Sequence, residues 1–168
     1  MPIREVKIMG ARILREVAKP ITADAISSQE TQKIIDDLTE TARSTPDNGF
    51  ITAGIAAPQV GESVRIFLAM KEGVDRKNPE YNVFINPELD FPTPELVESE
   101  ESCLSTPGLK GVVMRYKDVK VKYFDRTGTK QKIKLTGDQA VFVQHEYDHL
   151  DGVLWIDKVV STRTIVYC

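Results

Sequence analysis

The stretch Asp138-Gln139-Ala140-Val141-Phe142-Val143-Gln144-His145-Glu146-Tyr147-Asp148-His149-Leu150 decides how this chain is read. Ala140 to Val143 leave no polar face, and a helix that is apolar all round near its start is a buried one. Thr136 to Gln139 supply a capping-box pattern in front of it, so the spacing predicts a buried helix over 138–150. The chain's two histidines, His145 and His149, both fall inside that helix. Residues four apart on a helix share a face with Cβ atoms about 6 Å apart, so both imidazoles can close on one metal ion. Glu146 stands beside the first histidine, where it can hold and deprotonate a water at that ion. Two histidines followed in this way by a glutamate arise by chance in roughly one arrangement in a thousand, so the pattern is read as a site.

A catalytic transition-metal site usually has three protein ligands and one open position. With no further histidine, the third ligand is a cysteine or a carboxylate. Cys168 is the last residue, whereas Cys103 sits in Glu100-Glu101-Ser102-Cys103-Leu104-Ser105, a polar setting unlike that of a core cysteine. Cys103 is therefore the better candidate. Val141 and Phe142 precede His145 by four and three residues, which puts them on the metal-facing side of the helix.

Outward from this centre, Ser27-Ser28-Gln29-Glu30 is a capping-box pattern with Ser27 as cap. Ile34, Ile35, Leu38 and Ala42 then recur at helical spacing, giving an N-terminal amphipathic helix that Pro46 closes. Asn48 to Gly61 is rich in Gly, Ala and Pro without a clear period, as expected of backbone packed closely against something. Val64 to Met70 and Val83 to Ile85, the latter stopped by Asn86-Pro87, have strand composition. Val119, Val121 and Tyr123, a turn over Asp125 to Gly128, and Ile133 and Leu135 make a hairpin with one wet face. Leu89 to Glu101 reads as an exposed excursion.

The expectation is an α+β fold of mostly antiparallel strands packed around a buried central HExxH helix, with an N-terminal helix, as a single domain over 1–168. At 41% apolar and 28% charged residues the chain is too apolar to be disordered. A net charge of -3 offers no basic excess for a phosphate backbone, so no direct nucleic-acid binding is expected. No stretch approaches the ~18 apolar residues of a membrane span, the start carries Arg4, Glu5 and Lys7, and two cysteines are too few for a disulfide framework; a cytoplasmic protein without a membrane role fits.

Three segments resemble the motifs of the peptide deformylases: Thr52-Ala53-Gly54-Ile55-Ala56-Ala57-Pro58-Gln59, Glu101-Ser102-Cys103-Leu104-Ser105, and Gln144-His145-Glu146-Tyr147-Asp148-His149-Leu150. Thr52 and Ser102 stand where that family usually has glycine. The resemblance implies hydrolytic removal of the formyl group from the N-terminal formyl-methionine of nascent polypeptides. It implies Cys103, His145 and His149 as ligands of one divalent ion, with Fe2+ as the usual native metal; the same donors accept Zn2+, Ni2+ or Co2+. It further implies Glu146 as general base and acid, the Gln59 amide and the Leu104 N–H as oxyanion donors, Gly54 at the substrate, and Glu101–Arg115 as a structural ion pair. The partners implied are N-formylmethionyl peptides and nascent chains, with the ribosome beside them. A long docking helix after His149 has little room. Two rival readings are an HExxH zinc endopeptidase, which normally takes its third ligand downstream of the motif, and a non-catalytic metal-binding homologue.

Overall fold

The computed structural model describes residues 2–44, 52–75 and 78–168. Helix α1 covers Gln29–Ser44 and buries Ile34, Ile35, Leu38 and Ala42, the stripe expected from its spacing. Its cap is Ser28 rather than Ser27: the Ser28 hydroxyl accepts from the Thr31 N–H at 3.2 Å. The helix thus begins one residue later than the capping-box reading. Pro46, expected to close the helix, lies outside the described residues, as does the beginning of the Asn48 to Gly61 stretch.

Among the described residues, the strands form two antiparallel sheets. The larger has the order β1 (Gly54–Ala56), β2 (Ile66–Met70), β3 (Tyr81–Asp90), β6 (Asp118–Phe124), β7 (Lys130–Thr136). The smaller runs β4 (Leu96–Ser102), β5 (Leu109–Tyr116), β8 (Val166–Tyr167). The β6–β7 hairpin is as expected, with Val119 opposite Leu135 and Val121 opposite Ile133. Asp125 closes its turn by accepting from the Thr127 and Thr129 N–H groups.

Two expectations are corrected. Asn86-Pro87 does not stop a strand; β3 runs through it by way of a register shift between Ile85 and Glu88. Asn86 takes φ 48°, and its side-chain amide bonds both the N–H and the carbonyl of Ile21. Proline is tolerated at such a bulge because it has no ladder N–H to donate. Nor is Leu89 to Glu101 an excursion: its beginning ends β3 and its second half is most of β4. Glu98 and Glu100 are exposed on this edge strand while Glu101 is buried, so charges occupy the positions where an apolar alternation would be sought.

Within the large sheet β2 is buried on both faces, which explains its unbroken apolar run. Ile66 and Leu68 pack with Ile35 and Leu38 of α1, while Phe67 and Ala69 pack with Ala140 and Val143 of the second helix. That helix, α2, spans Gly137–Leu150, contacts β1 and β2 of the large sheet, and reaches β5 of the small one. Thr136 makes no side-chain cap bond to it. Thr136 is the last residue of β7, and Gly137 at φ 57° turns the chain straight into the helix. No helix among the described residues is long and apolar enough to cross a membrane.

Candidate metal centre and its cavity

Three elements converge on the site. The short 3-10 helix Ala57–Val60 after β1 brings Gln59, the turn after β4 brings Cys103 and Leu104, and α2 brings the histidines and Glu146. They surround a cavity of about 160 Å³ whose lining includes Gly54, Gln59, Cys103, Leu104, Val141, Phe142, His145 and Glu146. His149 stands behind it, fully buried, with Nε2 3.3 Å from the Cys103 sulfur. Ligand atoms of Cys103, His145 and His149 all lie within 4.8 Å of one another. Cys168 is exposed and takes no part in this cluster.

The donors suit a transition-metal ion: one thiol and two imidazoles, with Glu101 ordering one imidazole from outside. His145 Nδ1 and Glu101 Oε2 are 2.8 Å apart, which leaves Nε2 of that ring for the cluster. Burial alone would lower the His145 pKa, but hydrogen bonds to Cys103 and Glu101 carry it well above the ordinary value. Burial and neighbouring His145 hold His149 well below its own. Glu101 is desolvated, yet Arg115 and His145 hold its carboxyl down to about 2. Arg115 grips both Glu101 oxygens at 2.7 and 2.8 Å, and also donates to Asp148 at 2.6 Å.

Asp148 is the residue that sequence reasoning passed over, although it lies inside the histidine motif. Its second oxygen accepts from Lys158 at 2.6 Å. A carboxylate on a buried helix needs partners, and that requirement was the available signal. Ser105 was likewise missed. It accepts from Gln59 Nε2 at 3.2 Å, and its own N–H points to the Cys103 sulfur at 3.4 Å.

Gln59 is pinned at both ends. Its Oε1 accepts from the Ala56 N–H at 2.8 Å, and Nε2 faces the Cys103 sulfur at 3.4 Å as well as Ser105. The turn carrying Cys103 is braced from behind by Trp155, whose Nε1 donates to Thr106 at 2.9 Å. Glu146 sits against the backbone of Gly54: a Cβ there would lie 2.6 Å from Glu146 Oε1. Its Oε2 is buried with no hydrogen-bond partner, and burial pushes the carboxyl up to about 7. Ser102 lies in β4 without a positive φ, so its extended backbone suits a side chain.

Fold and cluster together define an α+β protein with a Cys/His/His group able to hold a metal ion. The family model for polypeptide deformylase matches residues 3–164, and the chain belongs to the peptide deformylase family. It is 40% identical over 166 residues to "Peptide deformylase 2" of Nostoc sp., covering 94% of this chain and 87% of that one. Among solved structures it resembles the peptide deformylase from Thermotoga maritima, with 35% identity, a TM-score of 0.81 and coverage of 96% and 100%. It also resembles the Met-Ala-Ser-bound class I type b peptide deformylase from Acinetobacter baumannii, with 32% identity, a TM-score of 0.82 and coverage of 94% and 99%.

Proposed function

We propose that this protein hydrolyses the formyl group from the N-terminal formyl-methionine of nascent polypeptides, using one divalent ion, natively Fe2+, held by Cys103, His145 and His149. The observation that carries the reading is the placing of a buried, partnerless Glu146 oxygen in the same small cavity as Cys103 and His145, in a chain of this family. The bound ion supplies Lewis-acid activation of water.

The chain's own groups do the rest. A bond forms between the water oxygen and the formyl carbon, and the bond from that carbon to the methionine nitrogen breaks. Glu146 takes the water proton and passes it to the departing amine, a task suited to a carboxyl pushed up to about 7. Gln59 has both Nε2 hydrogens engaged, one of them on sulfur, a weak acceptor. That hydrogen turns to the formyl oxygen as negative charge develops there. The Leu104 N–H, which has no partner among the described residues, is the second donor. One such donor is typically worth ~3 kcal/mol in the transition state. Gly54 lets substrate and Glu146 approach its backbone, and Val141 and Phe142 form the methionine slot on a centrally placed α2. The Met-Ala-Ser ligand of the Acinetobacter relative begins with the residue this slot is assigned.

The same reading covers a single catalytic domain, 1–168, acting in the cytoplasm on chains at the ribosome. The endopeptidase alternative is not favoured, because the cysteine of the cluster lies upstream of the histidines and the family is that of the deformylases. Formate release from a formyl-Met peptide tests the reading, with unformylated casein as comparison. Casein cleavage without formate release would replace it with the protease reading, and a metal-loaded but inert protein would leave only the binding homologue.

A further inference from the structure

The two donors assigned to the formyl oxygen come from separate segments: Gln59 from the 3-10 helix Ala57–Val60, and the Leu104 N–H from the turn after β4. Among the described residues no backbone hydrogen bond joins these two segments directly. Their side chains meet where Gln59 Nε2 faces Cys103 and Ser105, and the contact to sulfur is the one given up as the formyl oxygen takes charge. A third segment supplies the backbone link. The Lys7 N–H donates to the Gln59 carbonyl and the Met9 N–H to the Ser105 carbonyl, each at 2.7 Å. The two donors are two residues apart, so the chain between them spans at most about 7 Å and holds both carbonyls within that reach. Ile8 and Met9 are exposed, so bonding rather than burial ties this strap down. At its outer end Arg4 donates to Asp37 of α1 and to the Val60 carbonyl, the residue after Gln59.

We propose that residues 4–9 are a positioning strap for the reaction, stapling the Gln59 segment to the Cys103–Ser105 turn and so fixing the spacing of the two donors that receive the formyl oxygen. This inference rests on the deformylase reading. Donors aimed at developing charge act only while their geometry is held, and a misplacement of about 1 Å costs on the order of 100-fold. The strap touches neither substrate nor metal ligand side chain, so its effect is felt in turnover rather than in binding.

Met9 offers a clean way to cut one staple. It precedes Gly10, at φ 109°, in a turn closed by the Ala11 N–H on the Ile8 carbonyl at 3.0 Å. Proline suits that position of a turn with glycine next, and it removes the N–H that reaches Ser105. The test measures kcat and KM for formyl-Met-Ala-Ser in metal-loaded wild type, Met9→Ala, Met9→Pro and Arg4→Ala, each with and without Gln59→Ala. Metal content and the affinity for unformylated Met-Ala-Ser, which carries no formyl oxygen, are read beside them. Met9→Ala keeps the N–H and is expected to stay within about twofold of wild type. Met9→Pro is expected to lower kcat at least about fivefold, leaving KM, metal content and Met-Ala-Ser affinity within about twofold. With Gln59 already alanine the same change is expected to cost less than about twofold, since the spacing it sets no longer matters. Arg4→Ala frees the outer end and is expected to act in the same direction by less; it decides the matter should the proline variant fold poorly. A loss undiminished in the Gln59→Ala background, or one accompanied by loss of metal, would overturn the inference. A wild type inactive on the formyl peptide would overturn the deformylase reading and the strap's role with it; an active wild type with kcat unmoved in folded Met9→Pro sinks the strap alone.

Discussion

Glu146 occupies space that only a glycine at position 54 leaves open, because a Cβ there would come within 2.6 Å of its carboxylate oxygen. The carboxyl is therefore set by backbone on one side and by burial all round, and burial raises it to about 7. Replacing Glu146 by Gln keeps the shape and removes the proton carrier. Turnover of a formyl-Met peptide is expected to fall by at least ~100-fold while metal content per chain stays at the wild-type level. Elemental analysis beside the formate assay checks both halves, and full turnover in the variant would remove Glu146 from the mechanism. The two cysteines give a second contrast. Cys103→Ala should lose metal and activity together, since its sulfur lies within the histidine cluster. Cys168→Ala should lose neither, being exposed and outside that cluster. Metal loss in the second variant alone would reverse the ligand assignment.

The reach of α2 as an element is fixed at both ends by glycine. At its end, the Val153 N–H bonds the Asp148 carbonyl and the Gly152 N–H that of His149, so the helix stops just past its second histidine. Gly152 has φ 72°, and a Cβ added there would lie 2.7 Å from the carbonyl carbon of Arg15. Gly152→Ala is thus expected to destabilise the fold by about 2 kcal/mol, from left-handed strain plus a backbone clash. Urea unfolding measures it, and a loss below about 0.5 kcal/mol would mean that the Arg15 segment gives way freely. Elements with strong periodicity were legible in advance: the stripe of α1, the apolar start of α2 and the alternation of β6 and β7. The β4–β5 pair was not, because an edge strand dressed in Glu98 and Glu100 hides its alternation. Asn86-Pro87 misled for a different reason: its side-chain bonds to Ile21 lie 65 residues away in sequence, beyond any local rule.

Across the whole molecule, the candidate ligands could be read from sequence because two lie one helical turn apart and one cysteine sits in a polar motif. What arranges them could not be read. The bonds from Arg115 to Glu101 and Asp148, and from Trp155 to Thr106, join segments that only the fold brings together. The N-terminal segment shows the same long-range logic. Its Lys7 N–H bonds the Gln59 carbonyl and its Met9 N–H bonds that of Ser105, behind the Gln59 side chain and the Ser105 N–H that face the Cys103 sulfur. Arg4 anchors this strap, donating to Asp37 at 3.0 Å, to the Val60 carbonyl at 3.2 Å and to Glu62 at 2.8 Å. Asp37 has a side chain only 1% exposed and also takes Lys33 at 2.6 Å. Burial works against its ionised form, but the bonds to Lys33 and Arg4 prevail and its pKa falls below the ordinary 3.8. A carboxyl depressed in the folded state stabilises the fold above its unfolded pKa, and that contribution drains away as pH drops through the folded value. Asp37→Asn should therefore cost about 1 kcal/mol at pH 7, and the gap to wild type should narrow steadily below about pH 4. Urea titrations at several pH values between neutrality and the acid transition read that gap directly. A gap constant across the whole range would show that Asp37 acts through shape and neutral hydrogen bonding, leaving the strap without an ionic anchor.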